Sequence, residues 1–351
     1  MTKSAIEKRT ALITGASAGI GRDYARFLAA RGYNLILTAR RGDLLETLGS
    51  ELSAAFGTSV YCFPDDLADP AAPARLAAKI KDAGLQVDYL VNNAGYSVPG
   101  FFKDVRWEAQ RDMMQVMVNS VVELSHLMGN DMVKRGYGRI VNIASMAAYL
   151  NGSAGSTLYS ATKAFVLRFS QSLAIEYRGT GVQVVVTCPG FTRSDFHDVA
   201  GNREKMDKLP GILWLDGPRV VREAHEAVEI DKGPIVITGW VYKILGFIFR
   251  LLPENIMNRR ASQDSRNSDV RAEDKITKNK TVAKAAAKKA PAPKTASAKV
   301  APKAGTKKPV AKKPVAKKPA TKKPVAKKPV AKKPEAKKPV AKKPAPKMTD
   351  K

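Results

Sequence analysis

Tyr159 and Lys163 stand four residues apart in the stretch Tyr159-Ser160-Ala161-Thr162-Lys163. On a helix that spacing puts the phenol and the ammonium on the same face. A phenol titrates at about 10, too high for proton exchange at neutral pH. A neighbouring ammonium favours the phenolate and should lower that value, which makes the pair a candidate proton donor and acceptor. A lone Y-x-x-x-K says little, since most such pairs have no function. Upstream, Asn142-Ile143-Ala144-Ser145 ends an apolar run. A hydroxyl in that place can hydrogen-bond a carbonyl and stabilise a developing alkoxide.

Three further stretches have the composition of a ligand site. Thr14-Gly15-Ala16-Ser17-Ala18-Gly19-Ile20-Gly21 lies between an apolar strand and a helical stripe. Glycines at Gly15, Gly19 and Gly21 allow a tight turn and close approach of a pyrophosphate, with a helix N-terminus behind it. The plain alternative is a glycine turn without a ligand. The second strand ends in Ala39-Arg40-Arg41, where a site for NAD would usually carry an acid for the ribose. Arg40 can pair with a 2′-phosphate, which favours NADP, and Ser17 could add a hydroxyl. Arg41 reads as a solvated residue at a helix start. Asp65-Asp66-Leu67 and Asn92-Asn93-Ala94-Gly95 follow the third and fourth strands.

Placing these groups together needs a scaffold, and the pattern supplies one. Residues 11–14, 34–39, 59–63, 87–92, 139–144, 182–187 and 235–238 read as strands, with helical patterns between them. Ile20, Tyr24, Phe27 and Leu28 form the first helical stripe, which Gly32 closes. Continuous apolar strands alternating with helices predict a single α/β domain, a doubly wound parallel sheet of Rossmann type. Such sheets bind ligands beyond the carboxyl ends of the strands, where strand order reverses.

Taken in order and spacing, the five motifs resemble the short-chain dehydrogenase/reductase family in its compact form, over about Thr10 to Trp240. The resemblance implies reversible hydride transfer between a nicotinamide and a carbonyl carbon. It implies Tyr159, Lys163 and Ser145 as catalytic residues, with Lys163 also holding the nicotinamide ribose. The family's fourth catalytic residue, an asparagine after strand four, is matched to Asn119 in Val118-Asn119. Asp66 is implied at the adenine, and Asn92 at the cofactor or its supporting turn, beside Ala94 and Gly95. Pro189-Gly190-Phe191-Thr192 resembles the loop at the carboxamide, with Thr192 as the contact. With NADP as cofactor, reduction is the expected direction, and the resemblance implies a dimer or tetramer.

Substrate choice is expected to lie in residues 194–218, where Phe196, Met206, Leu209, Ile212, Leu213 and Trp214 sit amid charges like a mobile lid. Val98 to Phe102 and Met146 to Leu150 are expected to form other walls. A 3-oxoacyl thioester, a long-chain or cyclic ketone and a steroid-like ketone all fit such a pocket. Residues 240–252 read as an apolar helix, with Lys243, Gly246 and Arg250 on one stripe. It suits a pocket wall, a subunit contact or a helix lying in a membrane interface.

The 351-residue chain carries a formal net charge of +28, unevenly spread. Residues 275–351 hold 27 lysines against Glu335 and Asp350, a net of +25, which leaves +3 for the rest. From Lys307 the unit K-K-P-x-x repeats eight times, and no aromatic follows Phe249. A proline every fifth residue forbids a continuous helix, and such a composition cannot build a core. The expected organisation is a reductase domain over 1–260 and a disordered tail over 261–351 that resembles linker-histone tails. The tail would bind polyanions, whether nucleic acid, anionic lipid or polyphosphate, through counterion release, the plain alternative being a solubilising tail with no single partner. The alternative is a nucleic-acid- or surface-binding protein built on a reductase fold, with the tail as its main element. Cys62 and Cys188 read as buried reduced thiols. The N-terminus shows no signal-peptide apolar region. The cytoplasm is therefore the expected compartment, with nucleoid or peripheral membrane association through the tail.

Overall fold

The computed structural model describes residues 8–150, 152, 155, 157–193 and 209–251. Nine strands and eight α-helices are described. β1 (Thr10–Thr14), β2 (Asn34–Thr38), β3 (Val60–Cys62) and β4 (Tyr89–Asn92) alternate with α1 (Gly19–Ala29), α2 (Gly42–Phe56) and α3 (Ala72–Asp82). Next come α4 (Trp107–Met114), a single π turn (Gln115–Asn119) and α5 (Ser120–Arg135). β5 (Gly138–Ile143), α6 (Thr157–Glu176), β6 (Val182–Thr187) and β7 (Thr192–Arg193) follow. β8 (Leu215–Asp216), α7 (Gly217–Glu229), β9 (Ile235–Val236) and α8 (Trp240–Leu251) complete the set.

Seven strands form one parallel sheet in the order β3-β2-β1-β4-β5-β6-β9. Alternate residues of each strand enter opposite cores, as a pleat requires. Ala11, Ile13, Leu35, Leu37 and Val91 pack with α1, α2 and α7, whereas Leu12, Ile36 and Leu90 pack with α3 and α5. Both faces are therefore covered, which explains the near-continuous apolar strands. Strand order reverses between β1 and β4, the neighbours that pair Leu12 with Leu90. The β1–α1 turn and the β4 end meet there.

Several boundaries differ from the sequence expectation. β3 and β9 are shorter, because only the residues that pair with β2 and β6 count as strand. α1 ends at Ala29, and Gly32 lies beyond it at φ 81°, in the turn that leads into β2. Cys188 is buried, but Cys62 is only half-buried on the edge strand, where its Sγ donates to the Leu45 carbonyl. The presumed lid is partly fixed structure. Leu215 is buried, β8 pairs with β7, and Pro218 belongs to α7. Residues 194–208 of that segment, with Phe196 and Met206, lie outside the described residues, as do the tail and its repeats. Among the described residues no helix is long and apolar enough to cross a membrane.

Candidate active site

The site forms around the carboxyl end of β5. After Ile143 the chain turns into a short 3-10 helix, Met146–Tyr149, capped by Ser145. The Ser145 Oγ accepts from the Ala147 amide at 3.1 Å. Tyr159 and Lys163 occupy the first two turns of α6, and the phenol is hydrogen-bonded to Ser145. Lys163 is 6% exposed, and its Nζ donates to the Ile143 carbonyl at 2.7 Å. The ammonium stands 5.9 Å from the Tyr159 ring centre. Three groups expected to act together are thus brought to one strand end.

Their electrostatics depart from expectation. Burial pushes the Tyr159 phenol up to about 12, and the bond with Ser145 only partly opposes it. Burial lowers the Lys163 ammonium to about 8, against a small raising influence of Cys188. The expected lowering of Tyr159 by its neighbour does not emerge from the chain alone, where desolvation of the phenolate is the largest influence. At neutral pH the phenol is held protonated.

Asn119 is not part of this cluster. It sits on the π turn between α4 and α5, it is exposed, and its Nδ2 donates to Gln115 Oε1 at 2.8 Å. The side chain that reaches the site from this turn is Met117, 1% exposed and in the core cluster against which Tyr159 and Ala94 pack. A Cβ built on Gly95 would lie 3.6 Å from Met117 Cγ and 3.7 Å from Lys163 Nζ. Gly95 therefore lies near both, and it is exposed. The Ser120 amide bonds back to the Gln115 carbonyl five residues earlier, which is the wide turn itself.

Asn92 is also placed differently. It is 3% exposed and lies inside the core. Its Nδ2 donates to Asn142 Oδ1 at 2.9 Å and Ser125 Oγ at 3.1 Å, and Asn142 donates to Ser170 Oγ at 2.9 Å. A side chain committed to that network cannot contact a ligand. The supporting role falls to Asn93, whose Nδ2 donates to the carbonyls of Thr14 and Gly15 at 3.0 and 3.2 Å. Thr14 completes the joint, because its Oγ1 accepts from the amides of Asn93 and Ala94 at 2.9 and 3.0 Å. Buried side-chain-to-backbone bonds across the β1–β4 junction are invisible to spacing.

The glycine turn fits an anionic ligand. Gly15 and Gly19 have φ of 64° and 52°. A Cβ on Gly15 would come within 2.9 Å of Ala94 Cα, and one on Gly21 would overlap the Gly15 carbonyl. Ala18, at the cap of α1, offers no side chain to the first helical amides, and the first turn carries no acid. Those amides are left for an external acceptor. Ile20 packs against two core clusters and holds α1 in place.

At the end of β2 it is Arg41 that turns to the glycine loop, its Nη2 donating to Ser17 Oγ at 3.1 Å. Arg40 is exposed, and its charge bears on Tyr96. Asp66 is exposed as well, and its carboxylate accepts from the Ala68 amide at 3.0 Å. Beyond β6, Thr192 Oγ1 donates to the Gly190 carbonyl at 3.1 Å, and the Pro189 carbonyl accepts from the Met146 amide at 2.9 Å. That loop is braced by Tyr242 of α8, whose hydroxyl accepts from the Phe191 amide at 3.0 Å and donates to the Leu213 carbonyl at 2.6 Å. Near the start of α6, Val98, Phe102, Val105, Met113 and Leu158 line a small cavity together with Gly100, Gln110 and Thr157.

A family model for short chain dehydrogenases matches residues 9–205. The chain is 36% identical over 250 residues to the 3-oxoacyl-(acyl-carrier-protein) reductase FabG of Escherichia coli (strain K12), covering 68% of this chain and 99% of that one. Among solved structures it resembles a short-chain dehydrogenase from Sphingobium yanoikuyae in complex with NADPH, with TM-score 0.60 and 31% identity over 65% of this chain and 87% of that one. It also resembles a bulky-bulky ketone specific alcohol dehydrogenase from Comamonas testosteroni, with TM-score 0.57 and 27% identity over 76% and 94% of the two chains.

Proposed function

We propose, from the premise that this chain belongs to the short-chain dehydrogenase family of oxidoreductases, that it reduces a hydrophobic carbonyl compound to an alcohol with NADPH. The observation that carries this reading is the arrangement of Ser145, Tyr159 and Lys163 at the end of β5, with the phenol protonated. The bound nicotinamide would supply the hydride. Tyr159 would give its proton to the carbonyl oxygen as negative charge develops there. Ser145 would hydrogen-bond the same oxygen and hold it at the phenol. Lys163, fixed by the Ile143 carbonyl, would hold the nicotinamide ribose, and its charge would ease the loss of the phenolic proton once a cationic ring is near.

Asn119, exposed and with its amide on Gln115, would hold no water for the proton route. Resupply of Tyr159 would then run from Lys163 and the cleft. Arg41 and Ser17 would receive the 2′-phosphate of NADP, with Arg40 beside them, and Asn93 and Thr14 would hold the turn beneath the pyrophosphate. The apolar side chains of Val98, Phe102, Met113 and Leu158, gathered near the start of α6, favour a ketone or 3-oxoacyl group on a greasy body. FabG of Escherichia coli, by its name a 3-oxoacyl reductase, and the bulky-ketone enzyme support the same range.

The test is a panel of cyclic, long-chain and bulky ketones and 3-oxoacyl thioesters, assayed with NADPH and NADH. Oxidation of NADPH by at least one member is expected, and Tyr159→Phe should lower that rate by about 10²- to 10⁴-fold without loss of NADPH binding. Equal rates for Tyr159→Phe and the parent would overturn the assignment.

A further inference from the structure

α8 is apolar on two opposite faces. Its inner face carries Tyr242, 5% exposed, and packs Leu245 and Phe249 into the core around β6. Gly246 lies against the body, where a Cβ would meet Ile237 Cδ1 at 2.8 Å. Its outer face presents Trp240, Ile244, Phe247, Ile248 and Leu251, with Phe247 64% and Leu251 66% exposed. These positions recur at four, seven, eight and eleven residues from Trp240, a continuous stripe along the helix. Lys243 is exposed at its flank. Such a stripe needs a partner, and the tether through Tyr242 keeps the helix on the body rather than free to fold its outer face inward.

We infer that the outer stripe of α8 is a docking face that enters the interface of an anionic lipid surface. Two independent features favour that occupant. Trp and Phe with branched aliphatics on a helix held flat against a folded body suit the boundary between headgroups and acyl chains. The chain beyond the helix carries a net +25 over residues 275–351, which complements anionic headgroups. Either feature alone gives marginal binding, and the two together give stable, reversible docking. A second copy fits less well. A stripe of five side chains falls short of the roughly 20–30 residues per side of a stable interface, and two lysine-rich tails would repel. Nucleic acid would satisfy the tail and leave the stripe bare.

The test uses the full chain with vesicles of phosphatidylcholine, with and without phosphatidylglycerol, and with acyl chains brominated near the headgroup. Binding should require phosphatidylglycerol. Bromolipid should quench tryptophan emission, and Trp240→Phe should remove the quenched component. The exposed double variant Phe247→Glu, Ile248→Glu should lower vesicle affinity by at least about tenfold while leaving thermal melting and NADPH binding unchanged. Equal vesicle binding by parent and double variant would overturn the proposal, leaving only a basic tail on a charged surface. Absence of bromolipid quenching would overturn it too. So would a change from dimer to monomer in light scattering with vesicle binding unaltered, since the stripe would then be a subunit contact. None of these readouts depends on turnover, so their failure is separable from failure of the reductase reading.

Discussion

Met117 and Asn119 leave the same π turn in different directions. Met117 packs into the cluster that holds Tyr159, and Asn119 is exposed with its amide on Gln115. The residue expected to order a water in the proton route is therefore the one that does not reach it. Asn119→Ala should leave kcat/KM within about twofold, as an exposed substitution does. Met117→Ala should lower stability by about 2–5 kcal/mol through the cavity it leaves. Steady-state assays and denaturant melts of the two variants check both. A hundredfold loss in Asn119→Ala would return that residue to the site.

The contact between Arg41 and Ser17 makes a second prediction. Arg41→Ala should raise KM for NADPH by about 10- to 100-fold, the worth of a charged hydrogen bond, and barely change that for NADH. Arg40→Ala should do less, because Arg40 is exposed and it is Arg41 that bonds Ser17. Michaelis curves for both cofactors separate the two arginines.

Lys163 ties stability to pH. Its folded value of about 8 lies below the 10.5 of a free lysine, so the unfolded chain binds more protons between those values. Stability associated with this group is fully present above 10.5 and is lost as pH falls through 8. Against Lys163→Met, the parent should gain stability as pH rises through that window, by up to about 3 kcal/mol. Paired melts across the alkaline range read the difference. A parallel pair of curves would mean that the ammonium is not penalised by its burial.

The Gly190 loop gives a structural test with its own control. A Cβ on Gly190 would overlap the Tyr242 ring, whereas one on Gly211 meets nothing within 4 Å. Gly190→Ala should cost about 1–3 kcal/mol and disturb turnover, and Gly211→Ala should be close to neutral. Melts and assays of the two alanines decide it.

The sheet, the glycine turn and the Ser145, Tyr159 and Lys163 set were legible because each rests on a local pattern: strand periodicity, φ-permissive glycines and a four-residue helical spacing. What escaped depends on phase or on long-range contact. A π turn shifts which residue faces inward, so Asn119 is exposed while Met117 is buried. Asn92 and Asn93 differ only in strand phase, one pointing into the core and one toward β1. Arg40 and Arg41 differ by the turn into α2. The height of the Tyr159 value follows from burial, which no spacing reports.

The buried chain of Asn92, Asn142 and Ser170, with Ser125 beside it, never meets the cleft. It acts as an alignment pin. Asn92 and Asn142 are opposite partners in the β4–β5 register, and a slip of one residue would strand buried amides against Val141 or Ile143. That pin keeps the half of the sheet bearing the glycine turn in step with the half bearing Tyr159. Loops around the cleft are then free to drift in sequence and size without losing the hydride-to-proton geometry, so one core can be refitted to new substrates from its rim alone.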